Sequence, residues 1–208
     1  MIQAVVSQFG NPRGLAGHAV GWMLASRSSN RKRNNWVVSL LDIQPDDRVL
    51  EIGFGPGIAI REASQKAVRG TVCGVDHSEL MVRQASKRNS DAIEAGRVDL
   101  RHGSAEKLPD FGAPFDKIFE VNSMGFWKDP VECLRRIRAL LKPGGTIAIV
   151  SQPRGPGATD EWSSGAAAEI QERLAEAGYS ILRVESLPLK PAVVCVLATG
   201  GGGADPGA

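Results

Sequence analysis

Residues 48 to 58 read Arg-Val-Leu-Glu-Ile-Gly-Phe-Gly-Pro-Gly-Ile, an apolar stretch that runs directly into a turn rich in glycine. The aliphatic residues of the first half predict a buried strand. Glycines follow at positions 53, 55 and 57, and glycine lets a backbone adopt unusual dihedral angles and approach a ligand closely. A helix beginning after the turn would direct its free N–H groups at the same ligand. The stretch therefore predicts a strand, a ligand-binding turn and a helix in succession.

A second apolar stretch, Thr71–Asp76, ends in an acid that lies 19 positions after Gly57. This interval accommodates one helix and one strand, and it places the carboxylate of Asp76 where the ribose of a nucleotide could be held. The turn departs from the dinucleotide-binding pattern Gly-x-Gly-x-x-Gly, because Ile58 stands where that pattern has its third glycine. The two stretches together indicate a nucleotide-like ligand without deciding which one.

The bulk properties are those of one ordinary α/β domain. The chain has 208 residues, of which 42% are apolar and 23% charged, with a net charge of +2. This charge argues neither for nor against a nucleic-acid partner. Basic residues precede the first acid, Asp42, and cluster at positions 31 to 33. The N-terminal segment is therefore either a solvated helix face or a contact for an anionic group.

Three widely spaced cysteines, Cys73, Cys133 and Cys195, lie in apolar stretches. This usage predicts reduced, buried thiols and neither disulfides nor a metal site. The apolar run over residues 15 to 25 is too short and too interrupted to span a membrane. It also lacks the leading positive region of a secretory signal. We expect a cytoplasmic protein without a transmembrane segment.

Strands and helices alternate along most of the chain, which predicts a parallel sheet with right-handed crossovers. The last two strands are joined by a segment too short for a crossover helix, so that pair is predicted to be antiparallel. The fold class is a Rossmann-like, doubly wound, mostly parallel seven-stranded α/β sheet with an antiparallel last strand. Predicted strands lie near 48–53, 71–75, 97–101, 116–121, 146–151, 181–186 and 192–198. Predicted helices lie near 14–26, 36–41, 58–67, 78–88, 129–141 and 165–177, with a turn over 141–146.

This pattern divides the chain into three parts. Residues 1 to 35 form a helical segment that would cover the substrate, and residues 36 to 198 form the α/β domain. Residues 199 to 208 are a glycine-rich tail with no apolar side chains to bury, which predicts disorder.

Two other nucleotide chemistries fit the motifs poorly. A short-chain dehydrogenase needs a Tyr-x-x-x-Lys pair, whereas Tyr179, the chain's one tyrosine, is followed four residues later by Arg183. A P-loop needs Gly-Lys-Ser/Thr after its glycines, and residues 58 to 60 read Ile-Ala-Ile.

The ordered set of motifs resembles the class I S-adenosylmethionine-dependent methyltransferases, and within them the group that includes the ubiquinone/menaquinone-biosynthesis methyltransferases. The resemblance covers about residues 36 to 198. Five segments carry it in the family's order: Val49-Leu-Glu-Ile-Gly-Phe-Gly-Pro-Gly57, Gly74-Val-Asp-His-Ser-Glu-Leu-Met81, Arg101-His-Gly-Ser-Ala-Glu-Lys-Leu-Pro109, Phe115-Asp-Lys-Ile-Phe-Glu-Val-Asn122 and Leu140-Leu-Lys-Pro-Gly-Gly145.

This resemblance implies that the cofactor is S-adenosylmethionine and the product S-adenosylhomocysteine. It implies that Asp76 holds both ribose hydroxyls, that the turn packs against the methionine moiety and that Asn122 offers its backbone oxygen to the ammonium group. Ser104 stands where the family often has an acid that binds the adenine amino group. The full set of residues expected to bind the cofactor is Glu51, Gly53, Phe54, Gly55, Gly57, Asp76, His77, Met81, Gly103, Ser104, Ala105, Glu120, Val121 and Asn122.

Methyl transfer of this kind is an in-line displacement, so catalysis comes mainly from alignment in a dry pocket. A general base is needed only if the acceptor must lose a proton, and His18 is the candidate because it lies outside the cofactor motifs. Residues left free by the motifs are aromatic or sulfur-containing, which favours a small apolar or aromatic acceptor. The predicted acceptor contacts are Phe9, Trp22, Met124, Phe126 and Trp127, with further contacts expected from residues 151 to 162.

Two alternatives remain open in the sequence. The basic residues 31 to 33 would suit a methyltransferase that acts on RNA, protein or lipid. Residues 120 to 123, Glu-Val-Asn-Ser, do not match the Asn/Asp-Pro-Pro-Tyr/Phe motif of many nucleic-acid methyltransferases, so a nucleic-acid partner is not expected. A non-catalytic cofactor-binding module is the other alternative, against which the intact glycines and Asp76 argue. The sequence does not distinguish a monomer from a homodimer.

Overall fold

Residues 28 to 201 are described by the structure, a computed structural model of the chain. A short 3-10 helix, Met124–Phe126, is the one irregular helical turn among its named elements. In chain order the other elements are α1 (Ser28–Leu40), β1 (Arg48–Ile52), α2 (Ile58–Lys66), β2 (Thr71–Asp76), α3 (Glu79–Arg88), α4 (Ser90–Glu94), β3 (Val98–His102), β4 (Phe115–Val121), α5 (Pro130–Arg138), β5 (Leu141–Ser151), α6 (Asp160–Glu176), β6 (Ser180–Leu187) and β7 (Val193–Thr199).

Seven strands form one sheet in the order β3-β2-β1-β4-β5-β7-β6. β1 pairs with β2, β2 with β3 and β4 with β5, all in parallel. β7 pairs in antiparallel fashion with both β5 and β6. Helices connect the two strands of each of these three parallel pairs, as parallel pairing requires. The predicted fold class, including the antiparallel last strands, is therefore confirmed.

Contacts divide the chain into two units, one up to Phe111 and one from Gly112 onward. In the first unit, β1 and β2 are buried along nearly their whole length, which explains why their sequences are continuous apolar runs rather than alternating ones. α2 buries Ile58, Ala59 and Ile60 in its first turn. The strand–turn–helix predicted around the glycines is therefore present in the first unit.

In the second unit, β7 is buried over all but its last residue. Asp129 is the N-cap of α5, and its side chain accepts a hydrogen bond from the backbone N–H of Glu132. Pro130 occupies the first helical turn, where its missing N–H costs nothing. The hydroxyl of Tyr179 donates a 2.9 Å hydrogen bond to the backbone oxygen of Leu134 in α5. The single tyrosine is thus a buried structural residue of this unit.

The structure places the starts of three elements earlier than predicted and adds one helix. α1 begins at Ser28 rather than near 36, and its first part was not predicted because residues 28 to 35 are polar and show no apolar periodicity. β5 begins at Leu141 rather than near 146, because Leu141 already pairs with Phe115 before the register shifts. The predicted turn over 141–146 is therefore an irregularity within the strand, and Gly144 has a φ angle of 76° there. α6 begins at Asp160 rather than near 165, and acids in its first turn suit a helix N-terminus. α4 was not predicted, because it buries none of its five residues and so has no hydrophobic periodicity.

The three cysteines are free and buried, as predicted. Among the helices within residues 28 to 201, none combines the length and the apolar character that crossing a membrane requires. The helix predicted at 14–26 and most of the glycine-rich tail lie outside the described residues. The division of the chain at residues 35 and 198 remains a prediction.

Candidate active site

The glycine turn between β1 and α2 has a left-handed backbone at each of its three glycines. Their φ angles are 75° at Gly53, 52° at Gly55 and 75° at Gly57, a conformation that costs other residues about 1–2 kcal/mol. The N–H of Gly53 donates a 2.8 Å hydrogen bond to the backbone oxygen of Val75. The turn is therefore tied to the end of β2, where Asp76 follows.

Two of these glycines serve different purposes. A Cβ atom on Gly57 would lie 2.7 Å from Cβ of Ala85 and 2.8 Å from Nδ2 of Asn89, so this glycine allows α2 and α3 to pack closely. A Cβ atom on Gly55 would meet no atom within 4 Å. The backbone at Gly55 therefore faces open space, where a ligand can approach it.

Asp76 ends β2 and is 5% exposed. One carboxylate oxygen accepts the N–H of Gly55 at 2.8 Å, and the other accepts the N–H of Ser78 at 2.9 Å. Ser78, and not Asp76, is the N-cap of α3. Each carboxylate oxygen has two lone pairs, so Asp76 can accept further hydrogen bonds from a ligand.

The charge on Asp76 is balanced between opposing effects. Burial raises the pKa of this carboxyl group, whereas the N–H groups of Ser78 and Gly55, and then His77 and His102, lower it. Nδ1 of His77 lies 3.9 Å from the carboxylate, and Nε2 of His102 lies 3.0 Å from the backbone oxygen of His77. Fixed dipoles and two histidines therefore stabilise a carboxylate that burial disfavours.

A concave surface at the ends of β2 and β3 encloses a volume of about 490 Å³. The N–H of Gly103 donates a 3.0 Å hydrogen bond to the backbone oxygen of Asp76. The N–H of Lys107 donates a 3.2 Å hydrogen bond to the backbone oxygen of Ser104. These bonds fix the loop after β3. The residues that line the surface are His77, His102, Gly103, Ser104, Lys107, Leu108 and Pro109.

Three residues predicted to bind the cofactor, His77, Gly103 and Ser104, line this surface. An ideal Cβ on Gly74 would lie 2.7 Å from the Phe54 ring, so that ring packs against β2. Four residues predicted near the cofactor have buried side chains in this unit: Glu51, Phe54, Met81 and Ala105. Their role as cofactor contacts remains a prediction.

Sequence reasoning missed four lining residues: His102, Lys107, Leu108 and Pro109. All lie in the motif 101–109, but nothing in their spacing shows which of them face the ligand. His102 reaches His77 because β2 and β3 pair with Asp76 opposite His102. That register is a property of the folded sheet and is not visible in the sequence.

In the second unit, Glu120 lies near the end of β4 and is 1% exposed. One carboxylate oxygen accepts the N–H of Ser123 at 2.6 Å, the hydroxyl of Ser123 at 2.9 Å and the N–H of Met124 at 3.1 Å. The other oxygen accepts the N–H of Val150 in β5 at 3.2 Å. Burial raises the pKa of Glu120 to about 6 even though all four hydrogen bonds lower it.

Asn122 follows β4 with a φ angle of 59°, a left-handed conformation that asparagine tolerates better than most residues. Its Oδ1 accepts a hydrogen bond from the backbone N–H of Gln152 at 2.7 Å, and its own backbone N–H donates one to the backbone oxygen of Val150 at 2.9 Å. Val121 pairs with Val150 in the sheet. The turn predicted to face the cofactor is thus held to the end of β5 by backbone and side chain alike.

The predicted acceptor residues of the second unit differ in exposure. Met124 is 7% exposed, whereas Phe126 is 58% exposed, and Trp127 is half-buried. Trp162, within the predicted segment 151–162, is 54% exposed. Phe9, His18 and Trp22 lie outside the described residues, so the predicted general base and two acceptor contacts remain predictions.

Comparisons with known proteins agree with this geometry. A family model described as "Methyltransferase domain" matches residues 49–145. The chain is 30% identical over 179 residues to the uncharacterized methyltransferase YdaC of Bacillus subtilis. The aligned residues are 86% of this chain and 96% of that protein. A crystal structure of a SAM-dependent methyltransferase from Aquifex aeolicus has a TM-score of 0.68 at 21% identity, covering 86% of this chain and 96% of that one.

Two further relatives carry more specific names. The 27-O-demethylrifamycin SV methyltransferase of Amycolatopsis mediterranei is 31% identical over 157 residues, which are 73% of this chain and 53% of that protein. The ubiquinone/menaquinone biosynthesis C-methyltransferase UbiE of Geotalea daltonii is 26% identical over 128 residues, 60% of this chain and 54% of that protein.

A glycine turn after the first strand and a buried acid at the end of the second are the features with which open α/β sheets bind nucleoside cofactors. The chain belongs to the class I S-adenosylmethionine-dependent methyltransferases. The predicted family, enzyme class and cofactor are therefore confirmed. The residues of the first unit fit the cofactor, because Gly55 faces open space and Asp76 keeps lone pairs for the ribose hydroxyls.

Proposed function

We propose that this methyltransferase transfers a methyl group to a small, apolar or aromatic acceptor and releases S-adenosylhomocysteine. The observation that carries the proposal is the exposure of two aromatic side chains, Phe126 and Trp162, at 58% and 54%. Both lie in segments that are predicted to contact the acceptor. Exposed aromatic side chains offer apolar area that an apolar or aromatic ligand can cover.

The relatives support a small-molecule acceptor. One is named for 27-O-demethylrifamycin SV, and another is named for ubiquinone and menaquinone biosynthesis. The first name concerns an oxygen position and the second a C-methyltransferase. The proposal therefore specifies the class of acceptor and leaves the methylated atom open.

In the first unit, each part of the site has a role toward the cofactor. The carboxylate of Asp76 would accept both ribose hydroxyls, with each charge-assisted bond contributing about 1.5–3 kcal/mol. The backbone at Gly55 would approach the methionine moiety. His77 and Ser104 would border the adenine in the concave surface that they line.

The bound cofactor supplies an activated methyl group, so the chain need not supply a nucleophile. The protein's contribution is to hold the acceptor in line and to exclude water, and such alignment reaches effective molarities on the order of 10⁵–10⁸ M. The exposed aromatic side chains would provide the apolar contacts that orient the acceptor. A proton needs to be removed only from a hydroxyl, amine or acidic carbon acceptor, and His18 remains the predicted base.

The test is a methylation assay with a panel of acceptors. Purified protein and S-adenosylmethionine would be incubated separately with hydroquinones, phenolic polyketides, sterols, total RNA and a protein extract. Mass spectrometry would detect the methylated product, and a coupled assay would detect S-adenosylhomocysteine. We expect turnover with an apolar or aromatic small molecule, whereas methylation of RNA or protein alone would overturn the proposal.

Variants then locate the acceptor contacts. Phe126→Ala and Trp162→Ala should each raise KM for the acceptor about tenfold, the effect of losing an aromatic contact of roughly 1.4 kcal/mol. Leu182→Ala is the matched control, because Leu182 is 53% exposed and lies on β6, outside the predicted acceptor segments. An equal effect of all three substitutions would contradict the assignment of these segments.

A further inference from the structure

Glu120 differs from an ordinary buried acid in where its hydrogen bonds go. Three of its four donors belong to Ser123 and Met124, directly after β4, and the fourth is the N–H of Val150 in β5. Two donors are thus backbone groups in the turn that begins at Asn122. The carboxylate of Glu120 therefore fixes the path of the backbone immediately after β4.

The same turn is restrained a second time by Asn122. Its Oδ1 accepts the N–H of Gln152 at 2.7 Å, and its left-handed backbone reverses the chain after the strand. The 3-10 helix Met124–Phe126 begins directly afterwards, with Phe126 N–H donating to Ser123 at 3.0 Å. The exposed Phe126 ends this 3-10 helix, and the half-buried Trp127 follows it.

Keeping a charge at Glu120 is unfavourable for folding. The desolvation of the carboxylate outweighs its four hydrogen bonds, so its pKa is about 6 rather than the ordinary 4.5. The thiol of Cys195 in β7 interacts with Glu120, and its pKa is raised by burial and by the charge of Glu120. In β6, Arg183 lowers the pKa of the same thiol and Glu185 raises it. A neutral side chain at position 120 would avoid this cost but would leave some of the four donors without an acceptor. The carboxylate therefore fixes this turn even though its charge is unfavourable.

We propose that Glu120 is a positioning residue for methyl transfer, which holds residues 122 to 127 in the conformation needed to bind cofactor and acceptor. This inference rests on the proposed function, in which Phe126 contacts the acceptor, and on the prediction that Asn122 offers its backbone oxygen to the cofactor. It reassigns Glu120, predicted from the sequence as a cofactor contact, to a role exerted through the backbone of Ser123 and Met124.

The test uses Glu120→Gln, which keeps the shape of the side chain but presents an NH₂ group where one oxygen accepts. Backbone amide protection would be measured by NMR in the ligand-free protein at Ser123, Met124 and Val150. S-adenosylhomocysteine affinity would be measured by calorimetry between pH 5 and pH 8. Glu172→Gln, on an exposed position of α6, is the charge-matched control.

We expect Glu120→Gln to lower protection of the Ser123 and Met124 amides about tenfold at pH 7.5, the effect of losing one good hydrogen bond. Affinity for S-adenosylhomocysteine should fall severalfold, and Glu172→Gln should change neither quantity. In the unsubstituted protein the affinity should fall on acidification through about pH 6, because a protonated carboxyl group cannot accept from all four donors. That additional pH dependence should be absent in Glu120→Gln.

Ser123→Ala keeps the inference testable if Glu120→Gln does not fold. It removes the hydroxyl bond to Glu120 and should loosen the same two amides by a smaller factor. Unchanged amide protection and unchanged affinity in these variants would overturn the inference while leaving the proposed function intact. Failure of the unsubstituted protein to bind S-adenosylhomocysteine would overturn the proposed function and, with it, this role for Glu120.

Discussion

Asp76 and Glu120 are two buried carboxylates placed at or near the end of a parallel strand, and each accepts at least one backbone N–H group from the residues that follow its strand. Asp76 accepts two hydrogen bonds, one per oxygen, beside a glycine turn that opens onto free space. Glu120 accepts four, three of them on one oxygen. The same chemical group therefore has unused acceptor capacity in one place and almost none in the other.

The difference shows how a buried carboxylate can be assigned a role from its hydrogen bonds. A carboxylate with a spare lone pair on each oxygen next to open space can bind a ligand. One that is 1% exposed and accepts four hydrogen bonds from its own chain is suited to holding that chain in place. Burial raises the pKa of both groups, so perturbed titration alone does not separate them. The predictions below test this distinction, beginning with the largest effect.

Replacing Asp76 by Ala should weaken S-adenosylhomocysteine binding about 100-fold. Two charge-assisted hydrogen bonds to the ribose are lost, which together amount to roughly 3 kcal/mol. Calorimetric titration measures the change, and thermal unfolding checks that the turn is not lost with the side chain. Asp91→Ala, at an exposed position of α4, is the control. A loss below threefold in Asp76→Ala would remove the ligand role of this carboxylate.

The stability of the unsubstituted protein should depend on pH through Glu120. Its folded-state pKa of about 6 lies above the ordinary 4.5, so folding favours the protonated form. This contribution, up to about 2 kcal/mol, is fully present below pH 4.5 and is lost as the pH rises through about 6. The free energy of unfolding would be measured by urea titration across this pH range for the unsubstituted protein and for Glu120→Gln. Because Asp76 titrates in both proteins, the difference between the two curves isolates the contribution of Glu120. Parallel stability curves would contradict it.

Gly55→Ala should lower S-adenosylhomocysteine affinity about tenfold, because the added methyl group would enter the space that the ligand occupies. Gly96→Ala is a matched control, since Gly96 also has a left-handed backbone, at φ 68°, and open space around it. Both substitutions should cost roughly 1–2 kcal/mol of stability from backbone strain. Equal affinities in the two variants would show that the turn does not contact the cofactor.

The smallest effect is expected for Ser104→Ala in the concave surface. A single neutral hydrogen bond to adenine contributes about 0.5–1.5 kcal/mol, so affinity should fall between twofold and tenfold. Ser86→Ala, at a partly exposed position of α3, provides the comparison. An unchanged affinity in Ser104→Ala would indicate that the adenine is bound through the other lining residues.

The sequence predicts the parts of this molecule that depend on local pattern. The buried runs of β1 and β2, the glycine turn and the acid after β2 each follow from residue type and spacing within a few positions. The antiparallel pairing of β6 with β7 follows from the short segment between them. These features could be predicted because each depends on neighbours in the chain.

Features that depend on register could not be predicted. The approach of His102 to His77 requires the pairing of Asp76 with His102, and the early start of β5 requires the pairing of Leu141 with Phe115. The role of Glu120 is another such feature, because the sequence shows an acid near Asn122 but not the four donors around it. Contacts between distant segments arise only in the folded chain.

The most direct test of the central claim is a crystal structure of this chain with S-adenosylhomocysteine. We predict both ribose hydroxyls within hydrogen-bond distance of the Asp76 carboxylate, with the hydrogen bonds from Gly55 and Ser78 retained, and all four donors still on Glu120. A ribose bound away from Asp76, or a direct contact between the cofactor and the Glu120 carboxylate, would contradict the distinction between the two acids.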